Sequence, residues 1–273
     1  MKPMKTLSLS ILSGKGGVGK TNLALNLGYA LYKANHSVML MDCDIGLANL
    51  DILLGLVPEK NIHDLLQPGI APRDVILHIE KNGFDFLPAA SGIPDLLEMD
   101  EDLQSILFEK MNVMLGAYDF LLLDLGAGIS KTVLSFTAIT HERIVVITPE
   151  PTSLTDGYAM IKVMNSEYGI KNFHIVVNQV ASQDEGKRSF ERLSAACQKF
   201  LGLTVQYLGF IRSDPAMPEA VVRQVPLLKL SPKSAAARDI LALAVKLKRM
   251  RGERLPLLAE QNVLQNFPVN NVE

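Results

Sequence analysis

Gly14-Lys15-Gly16-Gly17-Val18-Gly19-Lys20-Thr21 has the spacing G-x-x-x-x-G-K-[ST] of a phosphate-binding loop. Glycines lack a Cβ, so their amides turn inward and approach phosphate oxygens closely. In such a loop Lys20 reaches the β- and γ-phosphates, and the Thr21 hydroxyl ligates Mg²⁺. Lys15 adds a second cation near the start of the loop. Two more places suit the same chemistry. Asp42 and Asp44 flank Cys43, and Asp124 ends an apolar run just before Gly126-Ala127-Gly128. Phosphoryl transfer needs a carboxylate on the metal side and a group that orients the attacking water. Asp124 suits the metal, through water, and Asp44 suits the attacking water. Each aspartate also reads as a helix cap or turn former; the phosphate loop tips the choice toward function. A Cys43 thiolate between two carboxylates is disfavoured by like charge, so this residue reads as a small buried filler.

These residues need elements that bring them to one place. Residues 6–12 alternate and are β-prone, reading as a strand that enters the loop, and residues 21–33 read as the helix that leaves it. That helix points its N-terminus and its dipole at the phosphates. Further strands are expected over 37–41, 84–88, 118–125, 143–148, 174–180 and 205–211. Residues 118–125 form a near-continuous apolar run, as a buried parallel strand requires. Helices are expected over 103–115, 152–167, 187–201 and 235–249. The alternation predicts one doubly wound α/β domain, a mostly parallel sheet with helices on both faces. Ligands in such sheets bind beyond the carboxyl ends of the strands, where the loop lies.

Composition agrees. The 273 residues are 48% hydrophobic and 21% charged, which fits a globular chain and not a disordered one. A net charge of −2 leaves no whole-domain basic footprint for nucleic acid, so DNA is not an expected partner. No apolar run reaches membrane-spanning length, and no signal peptide precedes the first strand. The two cysteines, Cys43 and Cys197, make no disulfide framework. A cytoplasmic location is expected.

Residues 13–21 are similar to the deviant phosphate loop of the MinD/ParA class of dimerising P-loop ATPases. Residues 42–51 resemble the first switch of that class, and 124–128 the second. The stretches 126–131, 148–156 and 158–162, and 200–203 followed by 208–215, look closer to the flagellar number regulators called FlhG or FleN. The resemblance runs from about Leu7 to Leu247. It implies an ATP–Mg²⁺ site and a homodimer when ATP is bound. Lys15 would be the signature lysine that reaches the partner's phosphates. Gly14, Gly16, Gly17, Val18 and Gly19 would cradle the phosphates, with Lys20 and Thr21 in the roles given above. Asp44 would orient water, while Asp42 and Asp124 would support the metal and the switches. Asn178 would read the adenine, with Asp214 beside the nucleotide. Glu150 and Asp156 would face the partner subunit. The partners implied are a GTPase like FlhF, flagellar switch-complex proteins or a transcriptional activator, and the outcome is control of flagellum number or placement.

The chain departs from that pattern at both ends. Only Met1 to Lys5 precede the first strand, where such regulators often carry a glutamine-containing extension that stimulates FlhF. At the other end, Lys246, Lys248, Arg249, Arg251 and Arg254 form a basic cluster against Glu253, and the tail, residues 255–273, has no Lys or Arg. The ATPase domain is accordingly drawn over 1–254, with 255–273 as an amphipathic or docking tail. Leu257, Val263, Leu264 and Phe267 share a helical arc. With the basic cluster, this arc makes an interfacial helix on the inner face of the cytoplasmic membrane one reading; packing against the chain's own domain is the other. A MinD-like division-site ATPase and a ParA-like DNA-partitioning ATPase are the alternative functions. An iron–sulfur enzyme on this scaffold would need cysteines beyond the second switch, and none occurs between Cys43 and Cys197.

Overall fold

A computed structural model describes residues 5–44, 50–67, 69–88 and 99–265. The chain runs β1 (Leu7–Ser13), α1 (Lys20–Lys33), β2 (Val38–Cys43), α2 (Leu50–Leu54), β3 (Leu77–Glu80), β4 (Phe84–Pro88), α3 (Glu101–Leu115), β5 (Phe120–Ala127), α4 (Lys131–Ala138) and β6 (Glu142–Ile147). It continues through α5 (Pro151–Tyr168), β7 (Phe173–Val180), α6 (Gln183–Leu201), β8 (Gln206–Arg212), α7 (Ala216–Val222), α8 (Leu227–Leu230) and α9 (Ala235–Leu258). The strands form one sheet in the order β3-β4-β2-β5-β1-β6-β7-β8. All neighbours are parallel except β3 and β4.

Alternate strand residues feed two cores. Leu7, Leu9 and Ile11 of β1 join Leu40, Leu122 and Ile144 on the face covered by α1 and α9. Leu12, Met41, Leu123 and Val145 join the opposite face, under α3 to α6. β1 lies at the middle of the sheet, with β5 on one side and β6 on the other. The strand order reverses there, which opens a crevice at the carboxyl ends. Ser8 and Ser10, the polar half of the β1 alternation, are fully buried. Each is satisfied from the start of β6: the Ser8 hydroxyl pairs with His141 Nδ1 at 2.8 Å, and the Ser10 hydroxyl donates to Glu142 O at 3.4 Å.

The expected strands and the α/β architecture are present, with differences at the edges. The antiparallel strand β3 was not expected, because its four residues alternate too briefly to register. α6 begins four residues earlier than its apolar pattern suggests, since the Ser182 side chain caps it by accepting from Glu185 N. α9 runs past the expected stop at Arg249, so the boundary drawn after residue 254 falls inside a helix. Three basic residues of the C-terminal cluster bond to the rest of the domain. Lys246 Nζ donates to Leu208 O at 2.6 Å, Arg251 bonds Asp119, and Arg254 pairs with the buried Glu142. Lys248 and Arg249 stay exposed. Leu258, Val263 and Leu264 are buried. Phe267 lies outside the described residues. Among the described residues no helix is long and apolar enough to cross a membrane.

Candidate functional site

The loop leaves β1 at Ser13 and enters α1 at Lys20, at the crevice where the strand order reverses. Gly19 caps α1 with φ +88°, in the left-handed region, and a Cβ there would lie 2.5 Å from Asn178 Nδ2. Only glycine meets both demands. Gly14 is required for a different reason. A Cβ at that position would stand 2.2 Å from the backbone oxygen of Asp156, so α5 runs directly against the start of the loop.

The two lysines of the loop have different settings. Lys20 is buried, and its Nζ donates to Ser13 Oγ at 2.9 Å. Ser13 Oγ in turn donates to Lys15 O at 2.6 Å. Burial lowers the Lys20 pKa, against the opposing charges of Asp124 and Asp44. A desolvated ammonium held on a neutral hydroxyl gains most from an arriving phosphate. Lys15 lies at the surface. Its Nζ pairs with Glu150 and donates to Thr152 Oγ1 at 3.1 Å, both at the start of α5. Lys15 and Glu150 are therefore neighbours within one chain, and Asp156 packs beside Gly14 of the same chain.

The three aspartates gather at the same edge in different settings. Asp124 sits within β5, opposite Ile11 of β1 and Asp42 of β2. Its carboxylate accepts from the Thr21 hydroxyl, while Oδ1 is buried without a hydrogen-bond partner. Burial raises its pKa to about 7. An orphaned carboxylate oxygen beside a hydroxyl, at a helix N-terminus, is a hard-oxygen donor set of the kind Mg²⁺ takes together with waters and phosphates. These residues fit that ion. Asp42 is engaged otherwise: Oδ1 accepts from Asp44 N at 3.0 Å and Oδ2 from Leu50 N at 3.3 Å. It ties Asp44 to Leu50 across residues 45–49, which lie outside the described residues. Burial raises its pKa to about 6. The Asp44 carboxylate stands over the end of β5, 3.1 Å from where a Cβ on Gly126 would be. The stretch after β5 is bonded back to the loop strand by Gly128 N donating to Ser13 O at 2.9 Å.

Beside the loop lies a cleft of about 410 Å³, lined by Gly19, Leu23, Asn178, Arg212, Asp214 and Met217 among others. The Asp214 carboxylate accepts from Ala216 N at 3.0 Å and Ala236 N at 2.9 Å. It shapes the wall by holding the starts of α7 and α9. Asn178 lines the cleft while donating to Val18 O at 2.7 Å. Sequence reading missed Ser13 as the seat of Lys20 and Gln179 as a neighbour of the loop. It also missed Arg212, whose guanidinium holds Asp239 and so fixes the cleft against α9. Only Gln179 had a signal, its place next to Asn178 at a strand end.

The model of the CobQ/CobB/MinD/ParA nucleotide-binding domain matches residues 9–227. The antiactivator FleN of Pseudomonas aeruginosa is 36% identical over 90% of this chain and 87% of its own length. The flagellum site-determining protein YlxH of Helicobacter pylori is 35% identical over 86% of this chain and 79% of its own. Among solved structures, the septum site-determining protein MinD of Pyrococcus horikoshii, complexed with Mg-ADP, superimposes with a TM-score of 0.70. It is 26% identical, covering 91% of this chain and 98% of its own.

Proposed function

The chain belongs to the CobQ/CobB/MinD/ParA nucleotide-binding family, and from that membership we propose that it is an ATP-hydrolysing switch, dimeric when ATP is bound, that regulates flagellum number or placement. The observation that carries the flagellar reading is the identity with an antiactivator and a flagellum site-determining protein over nearly the whole chain. The loop amides and Lys20 bind the triphosphate. Asp44, standing over Gly126, orients the attacking water. Thr21 and Asp124 would hold Mg²⁺, which when bound offsets charge on the β- and γ-phosphates. Lys15 lies outside the cradle and serves a second copy, so that turnover waits for assembly. The partners in this reading are an FlhF-like GTPase, flagellar switch-complex proteins or, by analogy with an antiactivator, a transcriptional activator.

A division-site role has support of its own in the likeness to MinD. Deletion of the gene in its native host separates the two. We expect a changed number or position of flagella by electron microscopy. Minicells with normal flagella would move the assignment to division, and loss of plasmid or chromosome would move it to partition.

A further inference from the structure

β7 ends beneath the phosphate loop, and two successive side chains there reach up to it. Asn178 Nδ2 donates to Val18 O at 2.7 Å, and Gln179 Nε2 donates to Gly17 O at 3.3 Å. The pair is braced internally, because Asn178 Oδ1 accepts from Gln179 N at 2.9 Å. Gln179 adopts φ +58°, a left-handed conformation that costs a side chain other than glycine. Its side chain is exposed, so core packing does not account for the strain. The conformation falls where the pairing of β7 with β8 shifts register, and it sets the Gln179 amide against Gly17.

A trans peptide unit is planar, with its C=O and N–H on opposite sides. The carbonyl of Gly17 shares a plane with the N–H of Val18, and the carbonyl of Val18 with the N–H of Gly19. Holding those carbonyls outward on two amides turns the N–H groups of Val18 and Gly19 the other way, into the loop's concave side. A carbonyl that swung inward would instead set an oxygen against the phosphates. Gly19 takes part as well, since the Asn178 amide occupies the space a Cβ would need.

We propose that Asn178 and Gln179 form an amide clamp that presets the phosphate cradle, and that Gln179 is a positioning residue for the phosphates with no part in reading the base. The inference rests on the nucleotide-binding reading of the loop. The test uses the full chain and the substitutions Gln179→Gly, which fits the left-handed conformation without strain, and Gln179→Met, which keeps the length but cannot donate. Affinities for ADP, ATP and ITP are measured with Mg²⁺, together with the Tm of the nucleotide-free proteins. Loss of one neutral hydrogen bond should weaken ADP and ATP about 5- to 10-fold in both variants. The preference for ATP over ITP should not change, and the Tm of Gln179→Gly should be no lower than that of the unaltered chain. ADP affinity within twofold of the unaltered chain in Gln179→Met would overturn the clamp, as would a shifted ATP-over-ITP preference, which would make Gln179 a base reader. An unaltered chain that binds neither ADP nor ATP would overturn the nucleotide reading itself, and the clamp with it.

Discussion

Lys15 and Lys20 share a loop, and their surroundings separate their tasks. Lys20 is buried on Ser13, and its charge has nowhere to go but the cradle. Lys15 is paired with Glu150, and the two side chains are 38% and 60% exposed. An ion pair that exposed is worth about 0–1 kcal/mol. The charge on a triphosphate outbids it easily, so in the proposed dimer a second copy's nucleotide would displace Lys15 from Glu150. A cation delivered in trans to a phosphoryl-transfer site raises turnover by about 10³-fold or more. Lys15→Ala should therefore bind ATP within about threefold of the unaltered chain, because its side chain makes no contact inside its own cradle. Protein-concentration-dependent phosphate release should fall by about 10³-fold in the same variant. Phosphate release that stayed equal to the unaltered chain at high protein concentration would remove the in-trans role of Lys15.

Elements whose pattern is local were legible in the sequence. β5 declared itself through a run of apolar residues, and α1 through its place after the loop. The loop, Asp44 and Asp124 followed, since the strand ends carry them to one edge. What stayed hidden depends on contacts distant in sequence. α9 passes Arg249 because Arg251 and Arg254 find Asp119 and Glu142, which the charge pattern alone reads as solvated. The joint between β1 and β6 is another such contact. His141 Nδ1 accepts from Ser8 N at 3.1 Å and meets the Ser8 hydroxyl at 2.8 Å, which requires a neutral ring. Burial lowers its pKa to about 4, against a backbone hydrogen bond at Asn262 and the charge of Glu142, with Arg143 and Arg254 adding to the shift. An unfolded histidine titrates near 6.5. Between those values the unfolded chain binds the extra proton, so this group's contribution is whole above about pH 6.5 and is lost as pH falls toward about 4. His141→Asn keeps an acceptor near the position of Nδ1 without a titration in that range. The Tm difference between the unaltered chain and His141→Asn should narrow or reverse on going from pH 7.5 to pH 5. A difference that is the same at both pH values would show that His141 does not couple this joint to protons.

The whole molecule is closed by its C-terminal segment, which passes from one face of the sheet to the other. Leu258, at the end of α9, belongs to the core on the α1 and α9 face, whereas Val263 and Leu264 belong to the core beneath α3 to α6. Backbone and amide bonds fix the crossing. Leu264 N donates to Asn112 Oδ1 at 2.8 Å, Asn112 Nδ2 returns a bond to Leu264 O at 3.2 Å, and Gln265 N donates to Ile139 O at 2.8 Å. Asn112 lies on the helix that leads into β5, and Ile139 stands just before β6, so the strap lies at the amino ends of the strands, away from the nucleotide edge. Releasing the segment to a membrane would uncover these apolar side chains and leave the Asn112 amide unbonded. Truncating a fully buried leucine to alanine costs about 2–5 kcal/mol. Leu264→Ala should therefore lower the unfolding free energy by about that amount, read as a lower urea midpoint at unchanged slope, while ADP affinity stays unchanged, a split that separates a strap from a part of the nucleotide site. An unchanged urea midpoint, together with lost sedimentation on anionic liposomes, would instead assign Leu264 to a lipid surface, because a residue cannot hold the core closed and be removed from it at no cost.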